Sequence, residues 1–229
     1  MKLLRLVGVM VISLFAFAHV HGQVPTIDTM SMPDSRGPTT VSIVEQKDHT
    51  TYIDFIYPQI RGMANPVLQK QLNDQIKVRV YELTKRDVFA GEKQRYYWTR
   101  YEIPYNNSLV SIRLNQSINV PHAAHPANYI ASITLDKKTG KELKFADLFK
   151  PNTPYIEKVN QLTRQEINKM GINLLKPFEG VSPNQEFYLT KDALVIYVQE
   201  GEYTPHAYGP LVVALPYAGL QDVLRVSLP

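Results

Sequence analysis

Two amphipathic helical stripes, set among many short strand patterns, constrain the fold of this chain more than any other feature. The first stripe follows Asn65-Pro66, where Asn can cap free backbone N–H groups and Pro fits the first helical position. Its apolar residues recur at spacings of four, four, four and three: Leu68, Leu72, Ile76, Val80 and Leu83. This period places them on one helical face. We therefore predict a helix over about residues 65–86, with Leu72 and Ile76 in the core.

The second stripe follows Thr153-Pro154, which we interpret as another capping residue followed by proline. Its apolar positions are Ile156, Val159, Leu162, Ile167 and Met170. Gly171 comes next, and glycine is the residue that most often ends a helix because it accepts a left-handed backbone. The sequence predicts a second helix that stops at this glycine.

Alternation of apolar and polar residues predicts strands on both sides of each helix. These strands cover residues 40–48, 51–57, 95–105, 108–117, 129–135, 187–190, 194–199 and 211–215. A tight turn over residues 136–140 requires a positive φ at Gly140, and a short return strand over residues 141–144 should follow it. Short connections favour antiparallel pairing. We predict an α+β fold of antiparallel sheets with two packed main helices, in two similar halves.

The first residues have the three parts of a secretory signal. Lys2 and Arg5 form a positive region, and an apolar run over residues 6–18 follows. This run is shorter than the ~20 residues that a membrane-spanning helix needs. Residues 1–22 are therefore predicted to be a signal peptide, and the mature protein is expected to be secreted or periplasmic.

Small residues define the expected cleavage site. Cleavage before Gln23 is favoured, and cleavage after Ala18 is the alternative. A proline-containing flexible leader over residues 23–39 should follow. Beyond it we divide the chain into two domains, residues 40–117 and 118–229.

Charge and cysteine content exclude several classes of function. The formal charge of +4 falls to +2 when Lys2 and Arg5 are removed with the signal peptide, so no nucleic-acid partner is expected. No later segment is long and apolar enough to span a membrane. The chain has no cysteine, and so it can form neither a disulfide nor a thiolate metal site and has no cysteine nucleophile.

Two histidines in one loop are the nearest approach to a metal-binding pattern. His122 and His125 lie three residues apart, and an imidazole pair could hold a metal ion. Asp136 is the next acidic residue, so further ligands are missing nearby. We expect no metal site and no cofactor, and we interpret the two histidines as polar loop residues.

Familiar catalytic motifs are absent. The chain has no Gly-x-Ser-x-Gly elbow, His-Glu-x-x-His helix, Walker loop or Gly-x-Gly-x-x-Gly turn. Paired carboxylates remain open, because Glu200 and Glu202 would share one face if they lay on a strand. A solvated strand edge is the alternative for this pair.

Aromatic residues concentrate in two regions, residues 96–105 and 197–217, and the chain has 14 tyrosines. Tyr and Trp suit binding surfaces because they combine a large apolar body with a polar tip. They also pack well in sheets, and the sequence leaves both interpretations open. In the second region, alternation places Tyr203 on the face opposite to His206 and Tyr208.

Several separated motifs resemble the DUF3298 family. They are His125-Pro126, then Leu135-Asp136-Lys137-Lys138-Thr139-Gly140-Lys141-Glu142-Leu143, Ala146-Asp147-Leu148-Phe149, Phe187-Tyr188-Leu189-Thr190, Glu202-Tyr203-Thr204-Pro205-His206-Ala207-Tyr208-Gly209 and Val213-Ala214-Leu215-Pro216-Tyr217-Ala218-Gly219-Leu220. Residues 40–117 resemble the partner domain DUF4163. One departure is His206, which stands where the family usually has Tyr.

The resemblance implies a binding role. The domain pair is similar to the extracellular part of lysozyme-sensing anti-sigma factors, which binds lysozyme, and to the N-terminal region of a peptidoglycan deacetylase. We therefore expect a non-enzymatic cell-envelope module whose partner is lysozyme or a peptidoglycan fragment. The alternative is a cell-wall hydrolase or esterase with an unrecognised active site.

Three residues are the predicted ligand contacts. His206 and Tyr208 should be exposed, because histidine in place of the usual tyrosine is better tolerated in water than in a core. His125 should join them if its loop folds over the same edge of the sheet.

Overall fold

Two main helices and two sheets form the part of the chain that the computed structural model describes, residues 41–86 and 94–225. The predicted signal peptide and leader lie outside these residues. The strands are β1 (Ser42–His49), β2 (Ile53–Arg61), β3 (Tyr96–Asn106), β4 (Leu109–Asn119), β5 (Ala127–Asp136), β6 (Phe187–Leu189), β7 (Ala193–Val198) and β8 (Leu211–Pro216). The helices are α1 (Pro66–Tyr81) and α2 (Tyr155–Met170). The α+β class is confirmed.

Helix α1 begins as predicted. The side chain of Asn65 accepts hydrogen bonds from the backbone N–H groups of Val67 and Leu68, at 3.0 and 3.1 Å. The predicted stripe is buried except at Leu68, which is partly buried, and Leu72 and Ile76 have no exposed surface. A 3₁₀ turn over Glu82–Lys85 extends the helix, so the predicted length is confirmed to within a few residues.

Helix α2 ends as predicted but begins differently. Gly171 ends it with a φ of +63°. The expected Thr153 cap is wrong, because the Thr153 hydroxyl donates to the carbonyl of Lys150 at 2.7 Å and no side chain caps the helix. Met170 was assigned to the apolar face, yet it is 40% exposed because the last turn extends beyond the core.

The larger sheet has the order β1-β2-β3-β4-β5, and one of its pairings corrects the sequence analysis. Strands β2 and β3 are parallel, with Asp54 opposite Trp98, whereas the other pairs are antiparallel. The cause is α1, which lies between β2 and β3 in the chain and returns it to the same end of the sheet. The predicted return strand at 141–144 is a single bridge, Leu135 with Glu142, and not a strand.

The smaller sheet is antiparallel, in the order β6-β7-β8, and it packs against β4 and β5. Ile130 of β5 lies in a buried cluster with residues of β6 and β7. Polar contacts add to this packing, since the backbone N–H of Leu189 donates to the Ser111 hydroxyl at 2.9 Å. The larger sheet contains strands from both sides of the predicted boundary between residues 117 and 118, because β4 pairs with β5.

Candidate functional site

The loop between β7 and β8, residues 199–210, carries two of the three predicted ligand contacts. Gly201 and Gly209 give it its bends, with φ values of +88° and +82° that other residues rarely adopt. Backbone hydrogen bonds close it: Gly201 N–H donates to the Thr204 carbonyl at 2.7 Å, and Tyr208 N–H donates to that of Pro205 at 2.9 Å. The Thr204 hydroxyl donates to the Gly209 carbonyl at 2.6 Å. The loop therefore holds its side chains in fixed directions.

Within this loop Tyr203 is buried and His206 and Tyr208 are exposed, as expected, although the expectation rested on a strand and this segment is not one. Tyr203 is 3% exposed, and its ring centroid lies 5.5 Å from that of Phe178. His206 is exposed and Tyr208 is 48% exposed. The hydroxyl of Tyr203 accepts a hydrogen bond from the backbone of Glu179, which satisfies its polar end in the core. His206 and Tyr208 are thus free to contact a partner.

The structure brings His125 and His206 together, although 80 residues separate them in the chain. Their ring centroids lie 5.7 Å apart at an angle of 46°. Nδ1 of His206 lies 3.0 Å from Oε1 of Glu200, whose side chain is 12% exposed against 68% for the histidine. No ring contact joins Tyr208 to either histidine within the described part of the chain. The three residues therefore form one histidine pair with a tyrosine beside it on the loop.

A pair of hydrogen bonds explains why the two histidines meet. The side-chain amide of Gln199 accepts from the backbone N–H of Ile130 at 3.1 Å and donates to the carbonyl of Ile130 at 2.7 Å. Ile130 lies near the start of β5, and His125 precedes that strand by two residues. Gln199 thus attaches the base of the loop to the segment that carries His125. The sequence analysis missed this residue, because nothing local marks a glutamine that pairs with a distant strand.

The proposed carboxylate pair is not on a strand. Strand β7 ends at Val198, so Glu200 and Glu202 lie in the loop, where strand alternation does not apply. Glu202 is exposed, whereas Glu200 is largely covered and contacts His206. Because the two side chains have different surroundings, the expectation that they share a face is wrong.

The chemistry that His125, His206 and Glu200 can perform is limited by the groups around them. A histidine held by a carboxylate is the base portion of a nucleophilic triad, but the triad also needs a nucleophile in hydrogen-bond contact. No serine or threonine hydroxyl among residues 41–86 and 94–225 hydrogen-bonds to His125 or His206. In the same residues, no group of three or more His, Asp or Glu side chains is placed to hold a metal ion. The exposed rings are suited to contact with a partner.

A separate cavity of about 210 Å³ lies where α1 meets the smaller sheet. Arg79 lines it and donates to the backbone of Ser132 and to the carboxylates of Glu82 and Glu186, at 2.9, 2.7 and 2.6 Å. Burial opposes the charge of Arg79, but Glu186 and Glu82 raise its pKa above the ordinary value. Its donors are engaged by these partners, so we assign Arg79 a structural role between α1 and β5.

Comparison with known proteins places the loop in a family segment. Residues 146–218 match the DUF3298 family, described as a protein of unknown function. This segment includes the whole of α2 and the whole loop, and the DUF3298 resemblance is confirmed. The motifs before residue 146 and the resemblance of residues 40–117 to DUF4163 stay predictions, as does the likeness to a deacetylase.

Two characterised proteins are similar over parts of the chain. The anti-sigma-V factor RsiV of Bacillus subtilis (strain 168) is 27% identical over 203 residues, which cover 81% of this chain and 70% of RsiV. The esterase Rv3036c of Mycobacterium tuberculosis is 26% identical over 102 residues. Those residues cover 42% of this chain and 44% of the esterase, so the chain spans less than half of that relative.

Two solved structures share the fold of this chain. A DUF3298 member from Bacteroides fragilis has a TM-score of 0.59 at 17% identity, and the match covers 85% of this chain and 97% of that one. A DUF3298 protein from Pseudomonas aeruginosa PAO1 has a TM-score of 0.61 at 14% identity, with coverage of 84% and 97%. At these identities the likeness is one of fold. No helix among the described residues has the length and hydrophobicity required to cross a bilayer.

Proposed function

We propose that this chain is an exported, non-enzymatic binding module of the cell envelope that recognises lysozyme through the loop at residues 199–210. The supporting observation is the similarity to an anti-sigma-V factor over 81% of the chain, together with the exposed loop inside the DUF3298 segment. The resemblance to lysozyme-sensing anti-sigma factors described above implies lysozyme as the partner. The module is proposed to act outside the cytoplasm because a signal peptide is predicted before it.

The loop has the physical properties of a protein-binding site. Its backbone is closed by its own hydrogen bonds, so little conformational entropy is lost when a partner orders it. Tyr208 presents a large amphipathic side chain, and tyrosine is enriched among the residues that dominate binding energy. His125 and His206 extend this surface with two further rings. We assign these three residues as the contact surface.

Titration calorimetry of the exported chain with a c-type lysozyme tests the proposal. Truncating a true anchor costs about 2 kcal/mol or more, roughly thirty-fold in affinity, and we expect this for Tyr208→Ala or His206→Ala. Tyr52→Ala is the matched control, because Tyr52 is also 48% exposed but precedes β2 on the other sheet. Absence of lysozyme binding by the unmodified protein, or equal binding by all variants, contradicts the proposal.

The enzymatic alternative rests on the esterase similarity and on the His206–Glu200 contact. It predicts turnover of an acyl ester or of peptidoglycan, with loss of activity in Glu200→Gln and His206→Ala. We expect neither p-nitrophenyl acetate nor purified peptidoglycan to be cleaved above the rate of buffer. Turnover that disappears in both variants would replace the binding proposal with an esterase or hydrolase.

A further inference from the structure

A second aromatic surface lies on the larger sheet, in a groove of about 510 Å³. Its most exposed tyrosine and tryptophan side chains are Tyr52, Tyr96 and Trp98, which are 48%, 37% and 38% exposed, and Tyr97 also lines it. Ligand pockets commonly have volumes of about 300–1,000 Å³ and aromatic walls with a few polar groups. This groove is part of neither the histidine pair nor the loop at residues 199–210, although Pro126, the neighbour of His125, lines its end.

Strand register explains why the rings share one face. Asp54, Trp98 and Ser117 are direct partners across β2, β3 and β4, and Tyr96 pairs with Asn119. Residues paired in this way point to the same side of a sheet. Rings and hydrogen-bonding side chains therefore alternate across the groove, so that a ligand can stack on one and hydrogen-bond to the next.

Arg100 holds Trp98 in place. Its guanidinium lies 4.6 Å from the centroid of the Trp98 ring, and Nη2 donates to Asp54 Oδ2 at 2.6 Å. The hydrogen bond from Arg100, opposed in part by desolvation, lowers the pKa of the Asp54 carboxyl below its usual value. The two charges neutralise each other, and the side chain of Trp98 still keeps over a third of its surface exposed. The tryptophan is thus oriented before any ligand arrives.

We propose that this groove binds an oligosaccharide of β-linked pyranose units. The flat C–H faces of such sugars stack on Tyr and Trp rings, and their equatorial hydroxyl or acetamido groups accept and donate hydrogen bonds at the ring edge. Asp54, Ser117 and Asn119 supply partners for those groups. Because Asp54 is already paired with Arg100, an uncharged polar ligand fits the groove better than an ionic one.

Trp98 is the only tryptophan of the chain, so its fluorescence reports on this groove directly. Addition of chitohexaose to the exported protein should change the intensity and shift the maximum of its emission, in a saturable way. Tyr96→Ala and Tyr52→Ala should each weaken the fitted affinity by about ten-fold or more, and far-ultraviolet circular dichroism should show that both remain folded. Calorimetry with Trp98→Ala, which has no fluorescent reporter, should show a similar loss.

Tyr208→Ala separates this proposal from lysozyme binding. Tyr208 has the same exposure as Tyr52, 48%, but lies in the loop at residues 199–210 and not in the groove. Its removal should therefore leave chitohexaose binding unchanged. Maltohexaose, whose α-linkages curve the chain, should bind at least ten-fold more weakly. The proposal is overturned if neither chitohexaose nor cellohexaose changes the fluorescence at millimolar concentration, or if Tyr208→Ala removes binding while Tyr96→Ala does not.

Discussion

The side-chain amide of Asn73 makes two hydrogen bonds to the backbone of Ile60, in the place where a neighbouring strand would pair with it. Its Oδ1 accepts from the Ile60 N–H at 2.8 Å, and its Nδ2 donates to the Ile60 carbonyl at 3.0 Å. Strands β2 and β3 pair at Ile53–Phe55, so the backbone of β2 needs other partners further along. Helix α1 supplies one, and thereby fixes its own position on the sheet.

Asn73→Ala should lower the free energy of unfolding by about 1–3 kcal/mol, because it leaves a donor and an acceptor of Ile60 without partners. Urea denaturation followed by circular dichroism measures this change. Lys70→Ala on the same helix is the control, because its exposed pair with Asp74 contributes about 0.5 kcal/mol or less. Equal effects of the two substitutions would contradict the assignment.

Leu72→Ala should be more costly, at about 2–5 kcal/mol, because the side chain is fully buried and its removal leaves a cavity. Val78→Ala serves as the control, since Val78 is on the same helix but 56% exposed. The midpoint of urea denaturation gives both values. A loss below about 1 kcal/mol for Leu72→Ala would mean that α1 does not contribute to the core.

Asp48 links three elements through its carboxylate. The hydroxyls of Tyr57 and Tyr81 donate to its Oδ2 at 2.8 and 2.7 Å, and Gln46 donates to Oδ1 at 3.0 Å. Burial raises the pKa of Asp48. The three hydrogen bonds and the charge of Lys77 together lower it by more than burial raises it, so the net shift is downward. Burial and the hydrogen bond to Asp48 raise the pKa of Tyr81 to about 12.

A lowered folded-state pKa makes the contribution of Asp48 dependent on pH. The stabilisation is complete above the unfolded-state pKa of about 3.9 and is lost as the pH falls through the lower folded-state value. Asp48→Asn should therefore cost about 1–3 kcal/mol at pH 7, and the difference from the unmodified protein should shrink below about pH 4. Denaturation curves at several pH values measure it, with exposed Asp74→Asn as the control. A difference independent of pH would exclude the charge as its cause.

Gly140 combines a positive φ of +75° with close neighbours. A Cβ at this position would lie 2.7 Å from Cδ1 of Leu68 and 2.9 Å from Nε2 of Gln71. Gly140→Ala should therefore destabilise by more than the ~1 kcal/mol expected for backbone strain alone. Gly171→Ala isolates that strain, because its φ is +63° and nothing lies within 4 Å of the new Cβ. If both substitutions shift the melting temperature equally, the close contact carries no cost.

Gln199 is half-buried and connects the loop at residues 199–210 to strand β5. Gln199→Leu should remove both hydrogen bonds to Ile130, lower stability by about 1–3 kcal/mol and weaken the proposed lysozyme binding by loosening the loop. Hydrogen exchange should quicken at residues 199–210. Gln185→Leu, at another partly buried glutamine bonded to a backbone carbonyl, is the control for stability without loosening this loop. Unchanged exchange with Gln199→Leu would contradict this role.

Local signals predicted much of the fold. The helix stripes, the Asn65 cap and Gly171 are visible because their causes lie within a few residues of one another. The same holds for the positive φ of Gly140.

Features that depend on distant partners were predicted less well. The parallel β2–β3 pair follows from where α1 returns the chain, which spacing does not reveal. Tyr96 and Trp98 share one face of β3 because they lie two positions apart, but their exposure depends on which side of the sheet α1 covers. Gln199 and Ile130 are likewise joined across 69 positions in sequence.

Strand β5 is the last strand of the larger sheet, and free edges of this kind readily pair with a second molecule. Gln199 occupies both backbone groups of Ile130, and Arg79 occupies the carbonyl of Ser132. Side chains thus block the positions at which an incoming strand would add. These contacts should let the folded protein resist edge-to-edge aggregation along this strand, although it has no cysteine and so no disulfide to hold the edge in place.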